Sequence, residues 1–280
     1  MKPARRTITP CYEFKISACT DLFLLMKLIF SDLDGTLLHS DNTLSGMTLQ
    51  AIKKVCEHDD LFIPISSRLP ESIQSFVPYK APLVAHNGAL IILGDEIISY
   101  TIPTDIVYDI CSYCNDLDWN IYDGDNWYST NQYFKDHAIE ESYIGKVSTK
   151  IGLEDIKKIQ TIHKIVCIGS IDHVTSYLKE TYPSLHITRS ASYYLEITHK
   201  EATKANAIQA VASHYQIPLE NTVAFGDYYN DEDMLEIAGV SYVVDNAPDD
   251  LKEKADHVTL SNNDDGVAFI LNQFYDKESL

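Results

Sequence analysis

Lys27-Leu28-Ile29-Phe30-Ser31-Asp32-Leu33-Asp34-Gly35-Thr36 is the stretch on which the fold turns. A short apolar run with no polar alternation reads as a buried strand, and the acid- and glycine-rich residues after it read as a turn at its carboxyl end. In open parallel sheets, ligands bind beyond the carboxyl ends of the strands, so two aspartates stand where such a sheet works on its ligand.

Outward from that strand the grammar is parallel. Ser45 to His58 carries apolar residues at Leu49, Ile52, Val55 and Cys56, which is helical spacing, and Leu61 to Ile65 reads as a second buried strand ending at Ser66-Ser67-Arg68. Strand, helix, strand predicts a right-handed crossover. Pro82 to Ala85 is a third strand, and after His86-Asn87-Gly88 the pattern changes. Ala89 to Tyr100 and Trp119 to Thr130 read as hairpins, with helices near Thr104 to Leu117 and Asn131 to Tyr143. Strand His163 to Ile168, helix Ile171 to Thr181 and strand Leu185 to Thr188 follow. Parallel grammar resumes with helix Thr203 to Tyr215, strand Thr222 to Phe225, helix Asp231 to Ile237, strand Ser241 to Val244 and helix Asp265 to Phe274. The expected fold is therefore α/β: a Rossmann-like parallel-sheet core from residues 26–87 and 191–280, interrupted by an α+β module over 88–190. Residues 1–25 read as a dispensable extension, with Met26 as the working start.

The chain has 280 residues, a formal net charge of −19 and six scattered cysteines. Such a charge repels polyanions, which disfavours nucleic acid and acidic membrane faces as partners. A small anion is accepted only where cations cluster locally. The cysteines suggest a reducing cytoplasm, and the lone Cys111-x-x-Cys114 pair lies on a predicted helix with no second pair to complete a zinc site, so it reads as packing. No apolar run approaches the roughly 18 residues of a membrane span, and nothing calls for an obligate protein partner. His86 reads as a turn residue, and Trp119, Tyr122, Trp127 and Tyr128 as core of the insert.

Three strand ends carry polar clusters: Asp32 and Asp34, Ser66, and Gly226-Asp227-Tyr228-Tyr229-Asn230-Asp231. Converging carboxylates repel unless a hard cation sits among them, and magnesium suits oxygen ligands and bridges to phosphate. Lys204 opens a helix whose apolar face leaves its ammonium free for the crevice, which favours an anion. Together these predict phosphoryl transfer.

Asp32-Leu33-Asp34-Gly35-Thr36-Leu37 resembles the first motif of the haloacid dehalogenase superfamily, and Gly226 to Asp231 resembles its fourth. The insert's position, with Ala247-Pro248 and Ser261-Asn262-Asn263-Asp264-Asp265-Gly266-Val267, resembles the Cof-type branch with a type IIB cap. That resemblance implies a phosphatase of a small phosphorylated metabolite, such as a sugar phosphate, acting through an aspartyl phosphate with Mg2+. It implies that Asp32 attacks phosphorus, and that Asp34 protonates the leaving alcohol and then activates water. Ser66, backbone amides near Leu33 and Ser67, Lys204 and Asn230 would bind phosphate. Asp32, the carbonyl of Asp34 and Asp227 would hold the metal, with Asp231 behind them. The sequence departs from the family pattern at Ser66-Ser67 in place of Thr-Gly, at Lys200-Glu201, at Ala205 and at Asp245. Two other readings share the fold: a phosphomutase or phosphotransferase, and a phosphate-binding protein without turnover.

Overall fold

The computed structural model describes residues 26–77, 82–115, 117–130, 141, 144, 146–191 and 194–276. In chain order the strands are β1 (Leu28–Ser31), β2 (Leu61–Pro64), β3 (Leu83–Ala85), β4 (Leu90–Leu93), β5 (Glu96–Ser99), β6 (Asp118–Asp123), β7 (Asn126–Ser129), β8 (Thr149–Lys150), β9 (Lys164–Ile168), β10 (Leu185–Ala191), β11 (Tyr194–His199), β12 (Thr222–Gly226), β13 (Val240–Val243) and β14 (His257–Val258). Strands β14-β13-β12-β1-β2 form one parallel sheet with Leu28 opposite Thr222 on one side and Leu61 on the other.

Alternation along β1 explains why this sheet is covered on both faces. Ile29 packs with Phe62 and Val223 against helices Gly46–Glu57 and Gly266–Tyr275, through Ile52, Val55 and Leu271. Leu28 and Phe30 turn the other way, with Leu61 and Ile63, onto helices Lys204–Tyr215 and Glu232–Ile237 through Ile208, Val211 and Met234. Two buried faces are what a continuous apolar run in a parallel strand requires. Helix Gly46–Glu57 starts where Ser45 Oγ accepts from the Thr48 amide at 2.9 Å, an N-cap that satisfies one of the first turn's orphan donors.

A second sheet, β10-β11-β9-β6-β7-β8, is antiparallel except between β7 and β8. One face is covered by helices Thr104–Tyr113 and Asp172–Thr181, with Trp119, Ile165 and Leu195 in the core between. Cys111 and Cys114 lie buried in that core.

The strand pairing moves both ends of the expected 88–190 insert. Hairpin β4–β5 pairs with β3, Leu83 opposite Ile92, and buries Ile91 and Leu93 with the parallel core, so it extends the core. The Gly94-Asp95 turn between apolar runs identified a strand pair but carried no information about which sheet receives it. Conversely β11, placed among the core flanks by the sequence reading, lies in the second sheet between β10 and β9. Its mixed residues, Tyr194-Leu195-Glu196-Ile197-Thr198, alternate between core and cavity and do not form the apolar run that marks a buried strand. The helix predicted over 131–143 and the extension over 1–25 lie, but for Glu141, outside the described residues.

Candidate active site

Strand β1 delivers Asp32, whose amide donates to the Phe225 carbonyl at 3.0 Å and ties the first turn to the end of β12. Gly35 then takes φ +84°, and a Cβ there would lie 2.4 Å from Asp227 Oδ2, so only glycine lets the two loops close on each other. Thr36 Oγ1 donates to Asp227 Oδ1 at 2.8 Å and fixes that carboxylate. Asn246 Nδ2 donates to the Gly35 carbonyl at 2.8 Å and Asn262 Nδ2 to the Leu38 carbonyl at 2.8 Å, bracing the same loop from below.

Lys204 is the first residue of its helix, and Thr203 Oγ1 caps it by accepting from the Asn206 amide at 3.1 Å. The ammonium is 1% exposed and donates to Asp32 Oδ1 at 2.5 Å and Asp231 Oδ1 at 2.6 Å. The other oxygen of Asp231 accepts the amides of Asp227 at 2.9 Å and Tyr228 at 3.1 Å. Both oxygens of Asp231 thus hold protein donors, and the residue shapes the 227–231 turn from behind.

Burial holds the Asp32 carboxyl well above its ordinary range; Lys204 opposes this, and Asp231 and Asp227 add to it. Asp227 is pushed up to about 6, first by burial and then by Asp231, against the Thr36 hydrogen bond. Burial works against the Lys204 ammonium, yet the charges of Asp231 and Asp32 outweigh it and push its pKa up. Asp32, Asp227 and Asp231 offer carboxylate oxygens all within 4.8 Å of one another. Two buried carboxylates and a half-buried third against one ammonium leave negative charge uncompensated, and the donors are all hard oxygens. The set fits a hard divalent cation.

The Asp34 carboxylate stands apart from this group. Arg68 grips it through Nε to Oδ2 at 2.8 Å and Nη2 to Oδ1 at 2.5 Å, and Asn42 Oδ1 accepts from the same Nη2 at 3.1 Å. A bidentate fork fixes orientation as well as charge. The Leu33 carbonyl accepts the amides of Leu37 at 3.0 Å and Leu38 at 2.8 Å. Ser66 is buried, its hydroxyl accepting from the Arg68 amide at 3.2 Å, while Ser67 and Arg68 form the cavity wall. Asn230 is exposed on the same wall. Asp245, one of the departures, is exposed and paired with Lys252 at 3.1 Å.

Sequence reasoning passed over Arg68, although it sits one residue beyond the assigned pair in Ser66-Ser67-Arg68. It also left the roof unassigned. Asp32, Asp34, Lys204 and Asp227 form the floor of a cavity of about 1130 Å³. The roof is the face of the second sheet opposite helices Thr104–Tyr113 and Asp172–Thr181, part of it packed on Leu69, where Tyr194, Glu196 and Thr198 alternate along β11 and Lys164 stands beside Thr198 and Tyr122. Lys164 Nζ donates to the Ser67 carbonyl at 2.9 Å and lies 4.7 Å from the Tyr122 ring centre. Asn87 Nδ2 donates to Glu196 Oε2 at 3.2 Å. Floor and roof therefore meet at the loops that carry Ser67 and Asn87.

Residues 29–271 match the family of haloacid dehalogenase-like hydrolases. A Haemophilus influenzae protein whose name assigns it provisionally to the phosphatases is 34% identical over 265 residues, covering 89% of this chain and 98% of its own. The 5-amino-6-(5-phospho-D-ribitylamino)uracil phosphatase YitU of Bacillus subtilis is 28% identical over 268 residues, covering 89% of this chain and 97% of its own. The fold is shared with the subclass IIB sugar phosphatase BT4131, with a TM-score of 0.77 at 22% identity over 89% of this chain and 99% of that one. By its motifs, its architecture and these matches, the chain belongs to the haloacid dehalogenase-like hydrolases, in the Cof-type phosphatase branch.

Proposed function

We propose that this protein is a Mg2+-dependent phosphatase that hydrolyses a small phosphorylated metabolite through an aspartyl phosphate on Asp32. The observation that carries the proposal is the Asp32–Lys204–Asp231 contact: a carboxylate at a strand end, buried, held by one ammonium and opening onto a cavity.

Lys204 aims an oxygen of Asp32 into the cavity and supplies positive charge where a dianionic phosphoryl group arrives. The Asp32 oxygen forms a bond to phosphorus as the bond from phosphorus to the leaving alcohol breaks, and Asp34 gives its proton to that alcohol. A water then attacks the phosphorus as the bond from phosphorus to the Asp32 oxygen breaks, Asp34 takes a proton from that water, and orthophosphate leaves Asp32 as a free carboxylate. Arg68, which here occupies both oxygens of Asp34, must release one of them for each transfer. Amides near Leu33 and Ser67, with Ser66 and Asn230, cradle the phosphoryl oxygens. Asp32, Asp227 and the main-chain carbonyl of Asp34 would hold Mg2+, with Asp231 setting their positions, and the ion's chemistry is neutralisation of phosphate charge. The second sheet excludes water over the site. A small metabolite as the partner and the cytoplasm as the compartment fit the acidic surface and the buried thiols; among the described residues no helix is long and apolar enough to cross a membrane.

The test is phosphate release from a panel of sugar phosphates, nucleotides and phosphorylated cofactors, with Mg2+ and with chelator. Asp32→Asn is expected to cost at least about a thousandfold in turnover. Undiminished metal-dependent release by Asp32→Asn would sink the proposal.

A further inference from the structure

Tyr228 follows Asp227 directly and is 52% exposed on the wall of the cavity that also holds Asp32 and Lys204. Its ring meets Tyr229 edge to face and leaves the rest of its surface open to the cavity beside the carboxylates. It is also braced. Tyr229 Oη donates to Asp250 Oδ1 at 3.1 Å, and the two tyrosine rings meet edge to face with centroids 4.9 Å apart at 61°. The Tyr228 amide is held by Asp231 at 3.1 Å, so the backbone under the ring belongs to the rigid turn of the site. Its ring is thus a preorganised platform of low conformational entropy.

From the roof the half-buried ring of Tyr194 on β11 lines the cavity, with Tyr122 of β6 beside it at 2% exposure. Tyr122 is itself stacked on Trp127, with centroids 6.2 Å apart at 4°. At about 1130 Å³ the cavity exceeds the roughly 300–1,000 Å³ of pockets that enclose drug-sized ligands. It is far larger than an open-chain or single-ring sugar phosphate fills. Charge narrows the choice further. Of the acids along the outer wall, Glu232 is paired with Lys254 at 2.5 Å and Asp233 accepts from the Ala205 amide at 3.2 Å, while Glu236 is exposed, so two of the three acids near Tyr228 are already engaged.

Resting on the phosphatase reading above, we propose that the substrate is the phosphate ester of an alcohol carrying a flat unsaturated ring, and that Tyr228 is the specificity-determining residue that stacks on that ring. The relative YitU, whose name gives a substrate with a uracil ring on a phosphoribityl arm, has this chemistry.

The probes are flavin mononucleotide and ribitol 5-phosphate, which share the phosphorylated ribityl arm and differ in the ring, with glucose 6-phosphate as the sugar comparator. Stacking on an aromatic side chain predicts that kcat/KM for flavin mononucleotide exceeds that for ribitol 5-phosphate at least about tenfold. That ratio is expected to collapse to about one in Tyr228→Ala and to persist in Tyr228→Phe, which keeps the ring. Equilibrium binding of the same compounds to the full-length Asp32→Asn variant with Mg2+ reads the same preference without turnover. Ring-selective binding with no hydrolysis of any probe would overturn the phosphatase reading and leave this one standing. Hydrolysis with equal kcat/KM for the two ribityl esters, a preference for glucose 6-phosphate, or a ratio that Tyr228→Ala leaves intact would overturn this inference and leave the phosphatase.

Discussion

Lys204 is enclosed by Asp32 and Asp231 at 1% exposure, and its removal strands two carboxylates whose side chains are only 8% and 0% exposed. Breaking a buried ion pair by deleting one partner costs about 3–5 kcal/mol. Lys204→Met is expected to lose about that much in urea unfolding of the metal-free protein, and Mg2+ should restore part of it by taking over the ammonium's charge. A loss under about 1 kcal/mol would mean that the carboxylates find other partners. At this scale the sequence was legible where chemistry sits at a strand end: Asp32, Asp227 and Lys204 do converge. It was not legible where a contact depends on a partner distant in the chain. Arg68 grips Asp34 across 34 positions, and no spacing rule connects them. The same holds for Thr36 and Asp227, 191 positions apart.

Between single residues and the whole stands the joint where core and second sheet meet. Gly124, in the β6–β7 turn, is held by two histidines: His86 Nε2 lies 3.0 Å from its carbonyl, and its amide donates to His163 Nδ1 at 3.0 Å. The imidazoles stack with centroids 5.7 Å apart at 13°. Burial pulls the pKa of both down from 6.5, with Lys164 and His163 adding to the effect at His86 and Asp123 opposing it at His163. A histidine whose folded pKa is depressed stabilises the fold fully above its unfolded pKa and ceases to do so as pH falls through the folded one. Unfolding free energy should therefore decline as pH drops below about 6.5, by up to about 1.4 kcal/mol per unit for each histidine. Urea titrations at pH 7, 6 and 5 check this, and His163→Gln should flatten the slope by about half. His86 read as a turn residue in sequence, which it is at φ +52°; its role in the joint depended on hairpin β6–β7 arriving beside it. Helices were legible because a 3.6-residue period survives alone, as over Gly46–Glu57. Strand β11 was not, because its polar face is polar for the cavity's sake.

For the molecule as a whole, a formal net charge of −19 means that any cation bound only by the folded state counts heavily. Mg2+ at a hundred times its dissociation constant should raise stability by about 2.7 kcal/mol. Chelator should return the melting temperature to its metal-free value, and an Asp227→Asn variant should show less than half of that increment. Among the contacts that join parallel core and second sheet, one loop serves both. Ser66 to Glu71 gives Ser67 and Arg68 to the floor, hands the Ser67 carbonyl to Lys164 of β9, and buries Leu69 among Tyr122, Trp127, Val166 and Ile168 of the roof. On the proposed mechanism, lifting the roof would pull directly on the strip of chain that is to cup the phosphoryl group. Opening and letting go would then be a single mechanical event: the vessel would unfasten its own grip as it unseals, and orthophosphate would depart into water by the movement that admits the next ester.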